Sequence, residues 1–328
     1  MEDLQKLLGD FSVTKEEIFR NWMSTLPSES TKRTYSYSFE KFLGYLALRE
    51  IPVNRVHAKD IYYYIEELKR YGDPCQGEDE RKPLSTAYVN KIISSVRSFY
   101  DYCILDNNIG GIMFNPANPV KLRKPVTSRA KRKEAFSLEE VIALIDMADN
   151  KRDKALIALM ADTGIRTIEV YRANWEDIGT SNGLPTLDVQ RKGSEVKEDF
   201  VHITASTFRL LMAYKEEREP LFGPEPLFTS VSPRTHGDRL TTRSISWIVK
   251  ELKSKCMALG QVIDPNGQKT AHSLRHFFGT EQMGRTGRLE EVADDMGHHS
   301  TENTKRYSRK AREESRAKRA VDFFEGRI

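Results

Sequence analysis

The sequence predicts a mainly α-helical protein of two domains, with a small β-sheet confined to the second. Three observations carry this. Apolar residues recur at helical spacing in one segment after another, two of them opened by a Ser or Thr three residues ahead of a Glu. Residues 121–133, with seven basic side chains and no acidic one, follow the pairs Asn115-Pro116 and Asn118-Pro119 and divide the chain. Residues 187–191 and 199–203 alternate apolar with polar around Gly193-Ser194, the pattern of a hairpin.

In order, Thr14 and Glu17 form a capping box that opens a short helix carrying Ile18 and Trp22. A second helix starts near Ser30 with a stripe of Tyr35, Phe39, Phe42, Leu43 and Leu46. A third covers 58–70 and ends in a polar loop over 71–83. A fourth opens at Ser85 and buries Val89, Ile92, Ile93, Val96, Phe99, Tyr100 and Cys103. Four such helices make a small bundle. The first domain is therefore placed at 1–120, a basic linker at 121–133 and the second domain at 134–328. There, Ser137 with Glu140 caps a helix through Val141, Leu144, Ile145 and Met147, and 153–160 is a further helix. After the hairpin come a helix at 205–218, an extended piece at 226–229 and a helix from Thr242 to about residue 259. The polar loop 261–270 then leads into His272.

Composition bounds the partners. Hydrophobic residues at 38% and charged residues at 30% describe a globular protein, and a net charge of +4 does not by itself indicate nucleic acid. The clustering of basic residues says more. Cys75, Cys103 and Cys256 are odd in number and lack CxxC spacing, so neither a disulfide framework nor a zinc site is expected. The N-terminus MEDLQKLLGDF lacks the apolar core of a signal peptide, and no run is long enough for a membrane span. A cytoplasmic protein without a membrane partner is the expectation.

The densest chemistry lies in 272–307. His272 and Arg275, three residues apart at a helix start, share a face and can grip one anion. His272 and His276 have metal-ligand spacing, but the glutamate of HExxH is missing and no cysteine is near. Gly297-His298-His299-Ser300 reads as a turn, and Tyr307 follows nine residues after His298. Upstream, Thr163-Gly164-Ile165-Arg166 precedes Glu169, one helical turn on and able to brace the arginine or a histidine. Taken singly, each has a plainer reading: a half-buried tyrosine, an exposed hairpin lysine, a solvated basic linker.

As an ordered set, HSLRH, GHHS, the late tyrosine and TG-apolar-R-x-x-E resemble the tyrosine recombinase (phage integrase) family. The resemblance implies a helical core-binding domain gripping one side of a duplex, followed by an α+β catalytic domain. It implies Arg166, Lys192, His272, Arg275, His298 and Tyr307 as catalytic residues, with Glu169 behind them and neither metal nor cofactor. The family's lysine commonly sits in a GKG turn; here Lys192-Gly193 matches but Arg191 replaces the first glycine, and Lys197 is the reserve.

That set suits phosphoryl transfer. Guanidinium forks match phosphate oxygens and stay charged, so Arg166 and Arg275 can stabilise a pentacoordinate transition state. A tyrosine with an ordinary pKa near 10 needs a base or a positive surrounding, which His272 and the arginines provide. His298 can donate to the phosphate, and Lys192 can protonate the leaving 5′-oxygen. Phosphate contacts are expected from Lys32 and Arg33, from Lys121, Arg123, Lys124, Arg129, Lys131, Arg132 and Lys133 of the linker, and from Arg243 and Lys250. The resemblance further implies double-stranded DNA carrying specific sites as partner. It also implies a homo-tetramer on two duplexes, linked by a C-terminal segment with Val321, Phe323 and Phe324 as anchors. Two alternatives stay open: a type IB topoisomerase, and a DNA-binding module without activity.

Overall fold

A computed structural model describes residues 15–105, 109–122, 134–218, 224–297 and 304. The chain divides into two units, 1–130 and 131–328.

The first unit holds α1 (Lys15–Ser24), α2 (Glu29–Leu48), α3 (Ala58–Arg70) and α4 (Thr86–Leu105). Its core is aromatic. Trp22, fully buried, meets Phe39 at 5.0 Å and Phe99 at 5.3 Å, both edge-on, while Phe39 and Phe99 approach to 4.3 Å. The indole N–H would be stranded in such a core, and it donates to Ser98 Oγ at 3.1 Å. Caps start the helices: Ser28 Oγ accepts the N–H of Thr31, and Asp60 accepts that of His57 at 2.9 Å. Asn115 closes the unit. Its Oδ1 accepts the N–H of Ala117 and its Nδ2 donates to Arg97 O and Asp101 Oδ1 of α4, so the Asn-Pro corner is fastened to the helix it follows.

The second unit contains α5 (Leu138–Met147), α6 (Lys151–Thr163), α7 (Thr167–Arg172), β1 (Ile178–Ser181), β2 (Leu184–Val189) and β3 (Asp199–His202). Then follow α8 (Ala205–Glu216), α9 (Thr242–Ala258), α10 (Ala271–Thr286) and α11 (Leu289–Asp295). Helix α6 has an apolar middle buried on every side, with Leu156, Ile157, Leu159 and Met160 in the core, and so forms the centre on which the other helices pack. The sheet is antiparallel in the order β1-β2-β3 with Leu187 facing both Ile178 and Val201. The third strand, β1, was not anticipated. Its turn is Asn182-Gly183, with φ of 51° and 78°, the left-handed pair that a two-residue hairpin needs.

Boundaries moved little. The α9 cap is Thr241 rather than Thr242, because Thr241 Oγ1 accepts the N–H of Ser244. Thr14 lies outside the described residues. None of the described helices is long and apolar enough to cross a membrane.

Truncating Trp22 to alanine should cost the first unit about 4 kcal/mol, a full aromatic cavity. Ser98→Ala should cost only about 1 kcal/mol, a single hydrogen bond. Urea unfolding of the two variants checks the ratio.

Candidate active site

Helix α10 is delivered by a buried polar network. Asp264, in the loop before it, accepts Lys253 Nζ at 2.5 Å and the N–H groups of Gln268 and Lys269 at 2.8 and 3.0 Å. Lys269 in turn meets both oxygens of Glu140, at 2.7 and 2.5 Å, and Glu140 also accepts the N–H of Asp264. Burial alone would push both carboxyls up. For Glu140 the Asp264 N–H and Lys269 outweigh it; for Asp264, Lys253 and the backbone N–H groups do, and both carboxyls lie below their ordinary range. The loop is thereby fixed to α5 and α9, and Ser273 Oγ caps α10 by accepting the N–H of Thr270.

Arg275, 1% exposed, is a deeply buried charge in the site. Nη1 donates to Gly164 O at 2.5 Å, and Nη2 donates to Met296 O. Both acceptors are the C-cap residues of helices, α6 and α11, where the dipole is negative. A guanidinium has five N–H donors, so two carbonyls do not exhaust it. Gly164 must be glycine: its φ is +63°, and a Cβ would lie 2.4 Å from Phe278 of α10.

Two residues beyond Gly164, Arg166 caps α7. Glu169 holds it twice, accepting its backbone N–H at 2.8 Å and Nη1 at 2.7 Å. The carboxylate is fully buried while the Arg166 side chain is 22% exposed. The result is a guanidinium with its back neutralised and its rotamer fixed.

The hairpin separates the two lysines. Lys197 is paired with Asp177 at 2.5 Å, whereas Lys192 is exposed, with no ion pair among the described residues. Arg191, which the sequence shows only as a departure from GKG, is buried: Nε meets Asp199 at 2.6 Å and Nη1 faces Glu169 at 3.5 Å. His272 is half-buried and lies edge-on to the buried His276, 4.7 Å between ring centres. His298 and Tyr307 lie outside the described residues, though Thr304, three residues before the tyrosine, is fully buried. Among the described residues no group of three or more His, Cys, Asp and Glu side chains could hold a metal ion.

Among the DNA-contact candidates, Arg33, Lys121 and Arg243 are exposed, and Lys32 is paired with Glu29 at 2.7 Å. Arg123, Lys124, Arg129, Lys131, Arg132 and Lys133 lie outside the described residues. Trp247, 60% exposed between Arg243 and Lys250 on α9, was not singled out from sequence. Its i+4 spacing from Arg243 was the available signal.

The structure thus gathers Arg166, Glu169, Arg275 and the Lys192 hairpin around the ends of α6 and α11. The family described as phage integrase matches residues 134–314, and its N-terminal SAM-like domain matches 22–107. The chain belongs to the phage integrase family. A tyrosine recombinase XerC of Myxococcus xanthus is 31% identical over 228 residues, covering 66% of this chain and 69% of its own. Tyrosine recombinase XerC of Listeria welshimeri serovar 6b is 27% identical over 312 residues, covering 91% and 93%. The crystal structure of XerH site-specific recombinase in a post-cleavage complex with palindromic difH substrate shares the fold. Its TM-score is 0.67 at 20% identity, with 90% of this chain and 80% of that one covered.

A carboxyl held below its ordinary value stabilises the fold above the unfolded value, and that contribution is lost as pH falls through the depressed folded value. Asp264→Asn should therefore melt lower than wild type above roughly pH 4. The gap between the two should close as the pH is lowered further, as thermal melts across pH 2–7 would show.

Proposed function

We propose that this chain is a site-specific DNA recombinase in which Tyr307 cuts and rejoins one strand of a duplex. The carrying observation is the pair of fixed guanidiniums, Arg166 and Arg275, anchored on either side of Gly164 by Glu169 and by two helix-end carbonyls. Such donors cost no reorganisation when charge builds on a phosphate.

Tyr307 Oη attacks phosphorus, its proton passing to His272; the bond to O5′ breaks and a 3′-phosphotyrosine forms. O5′ leaves with a proton from Lys192, the hairpin lysine not tied to a carboxylate. His298 donates to the phosphate beside the arginines. Attack by a 5′-hydroxyl from the other duplex reverses each step, so the diester energy is kept. Catalysis relies on guanidinium and lysine charge, and no metal or cofactor is invoked.

Two duplexes present four strands, and each cleavage uses one tyrosine, so a full exchange takes four protomers. In this reading residues 1–120 grip one side of the DNA and 121–133 strap its backbone. Residues 134–328 form the catalytic domain, whose end docks Val321, Phe323 and Phe324 on a neighbour. The compartment is the cytoplasm. The task is integration, excision, transposition or dimer resolution. Support comes from the family match over both regions and from relatives named tyrosine recombinase.

Tyr307→Phe should bind duplex DNA normally and give no covalent adduct on a denaturing gel; an adduct at wild-type level removes the tyrosine from this role. Arg166→Ala should slow adduct formation by roughly 10²-fold to 10³-fold with little change in duplex affinity, as for other fixed transition-state donors. Arg166 is the cleaner test, because Arg275→Ala also removes the bridge between α6 and α11.

Deleting 320–328 should leave single-site binding intact but abolish the four-protomer complex and strand exchange in native sizing with DNA.

A further inference from the structure

Arg191 occupies one of the most constrained places in the second unit, although it stands in a hairpin. Its side chain is 9% exposed. Nε donates to Asp199 of β3 at 2.6 Å, Nη2 reaches Asp295 O at the end of α11 at 3.4 Å, and Nη1 lies 3.5 Å from the buried Glu169. Its carbonyl accepts from Arg172 of α7 at 3.3 Å and from the N–H of Ser194 at 3.1 Å. The guanidinium also presses on Gly297, where a Cβ would fall 2.3 Å from Nε. One residue therefore touches the arginine-bracing carboxylate, both arms of the hairpin and the turn that leads to His298.

A hairpin base does not need a buried charge, and desolvating one is costly. The arginine is also placed where it can act: the next residue is Lys192, whose exposed side chain has no anchor of its own among the described residues. Restraint on that lysine's origin comes through the backbone of the turn, of which Arg191 is the buried anchor. Glu169 sits between Arg166 and Arg191, so the phosphate clamp and the hairpin share one buried anion.

We infer that Arg191 is a positioning residue for strand cleavage, holding the base of the hairpin against the Arg166–Glu169 pair so that Lys192 reaches the leaving oxygen. This rests on the reading of Lys192 as general acid. It makes the arginine a specific partner of the protonation step and leaves phosphate binding to Arg166 and Arg275. Misplacement by about 1 Å is enough to cost roughly 10² in rate.

The test uses the full chain and a duplex that the wild type cuts, made with either oxygen or sulfur at the 5′-bridging position. A thiolate leaves without a proton, so sulfur removes the need for the acid. Arg191→Met should form adduct on the oxygen substrate roughly 10²-fold slower than wild type, yet come within about threefold of it on sulfur. Lys192→Ala is the reference and should show the same rescue. If Lys192→Ala is rescued but Arg191→Met is equally slow on both substrates, or is not slow at all, the positioning role is wrong. If Lys192→Ala itself is not rescued, the general-acid reading fails, and this inference goes with it. Should Arg191→Met not fold, as judged by its melt, Asp199→Asn loosens one anchor at a carboxylate that is 43% exposed. It should show the same oxygen-specific loss at smaller size, and an equal loss on both substrates overturns the inference.

Discussion

The second unit turns on a buried guanidinium that joins the ends of two helices. The Nη atoms of Arg275 donate to the last carbonyls of α6 and α11, whose helix dipoles supply opposing charge. Neutralisation by dipoles leaves the cation with most of its field, whereas a buried carboxylate would cancel it. A positive site for an anion follows without a metal ion having to be invoked. The same two bonds set the spacing between the turn before Arg166 and the turn before His298, segments more than a hundred residues apart.

Arg166 is handled differently, and the contrast makes sense of the layout. It is partly open to solvent, where a free side chain would sample many rotamers, so its restraint is a full carboxylate gripping both backbone and side chain. Glu169 is then shared with Arg191. Two kinds of anchoring coexist: dipoles for the buried arginine, a carboxylate for the exposed one. The network of Asp264, Lys253, Lys269 and Glu140 works one step further out, fixing the loop from which α10 starts.

Much of this was legible in the sequence because it is local. The α3 limits, the Ser137 and Glu140 cap, and the stripes around Trp22 and Phe99 all follow from spacing within one helix. Arg166 and Glu169 are three residues apart, so their pairing could also be anticipated. What escaped was non-local or rested on a signal passed over. Strand β1 was announced by Asn182-Gly183 but has too few apolar residues to alternate visibly. The hairpin alone could not reveal that Arg191 turns inward, since two of its partners come from α7 and α11. That Lys197 is paired was likewise illegible locally, since its partner Asp177 is twenty residues away.

The contact between Arg191 and Gly297 has a consequence for how such a sequence can drift. With φ at +56°, a side chain at position 297 would be strained and would also require the Arg191 guanidinium to shift. Replacing 191 by a small residue would open that space, yet take one cation from Glu169 and one of its fastenings from the α11 end. Neither position can change first without penalty. A chain carrying glycine at 191 would have to fasten its hairpin by some other pair of side chains.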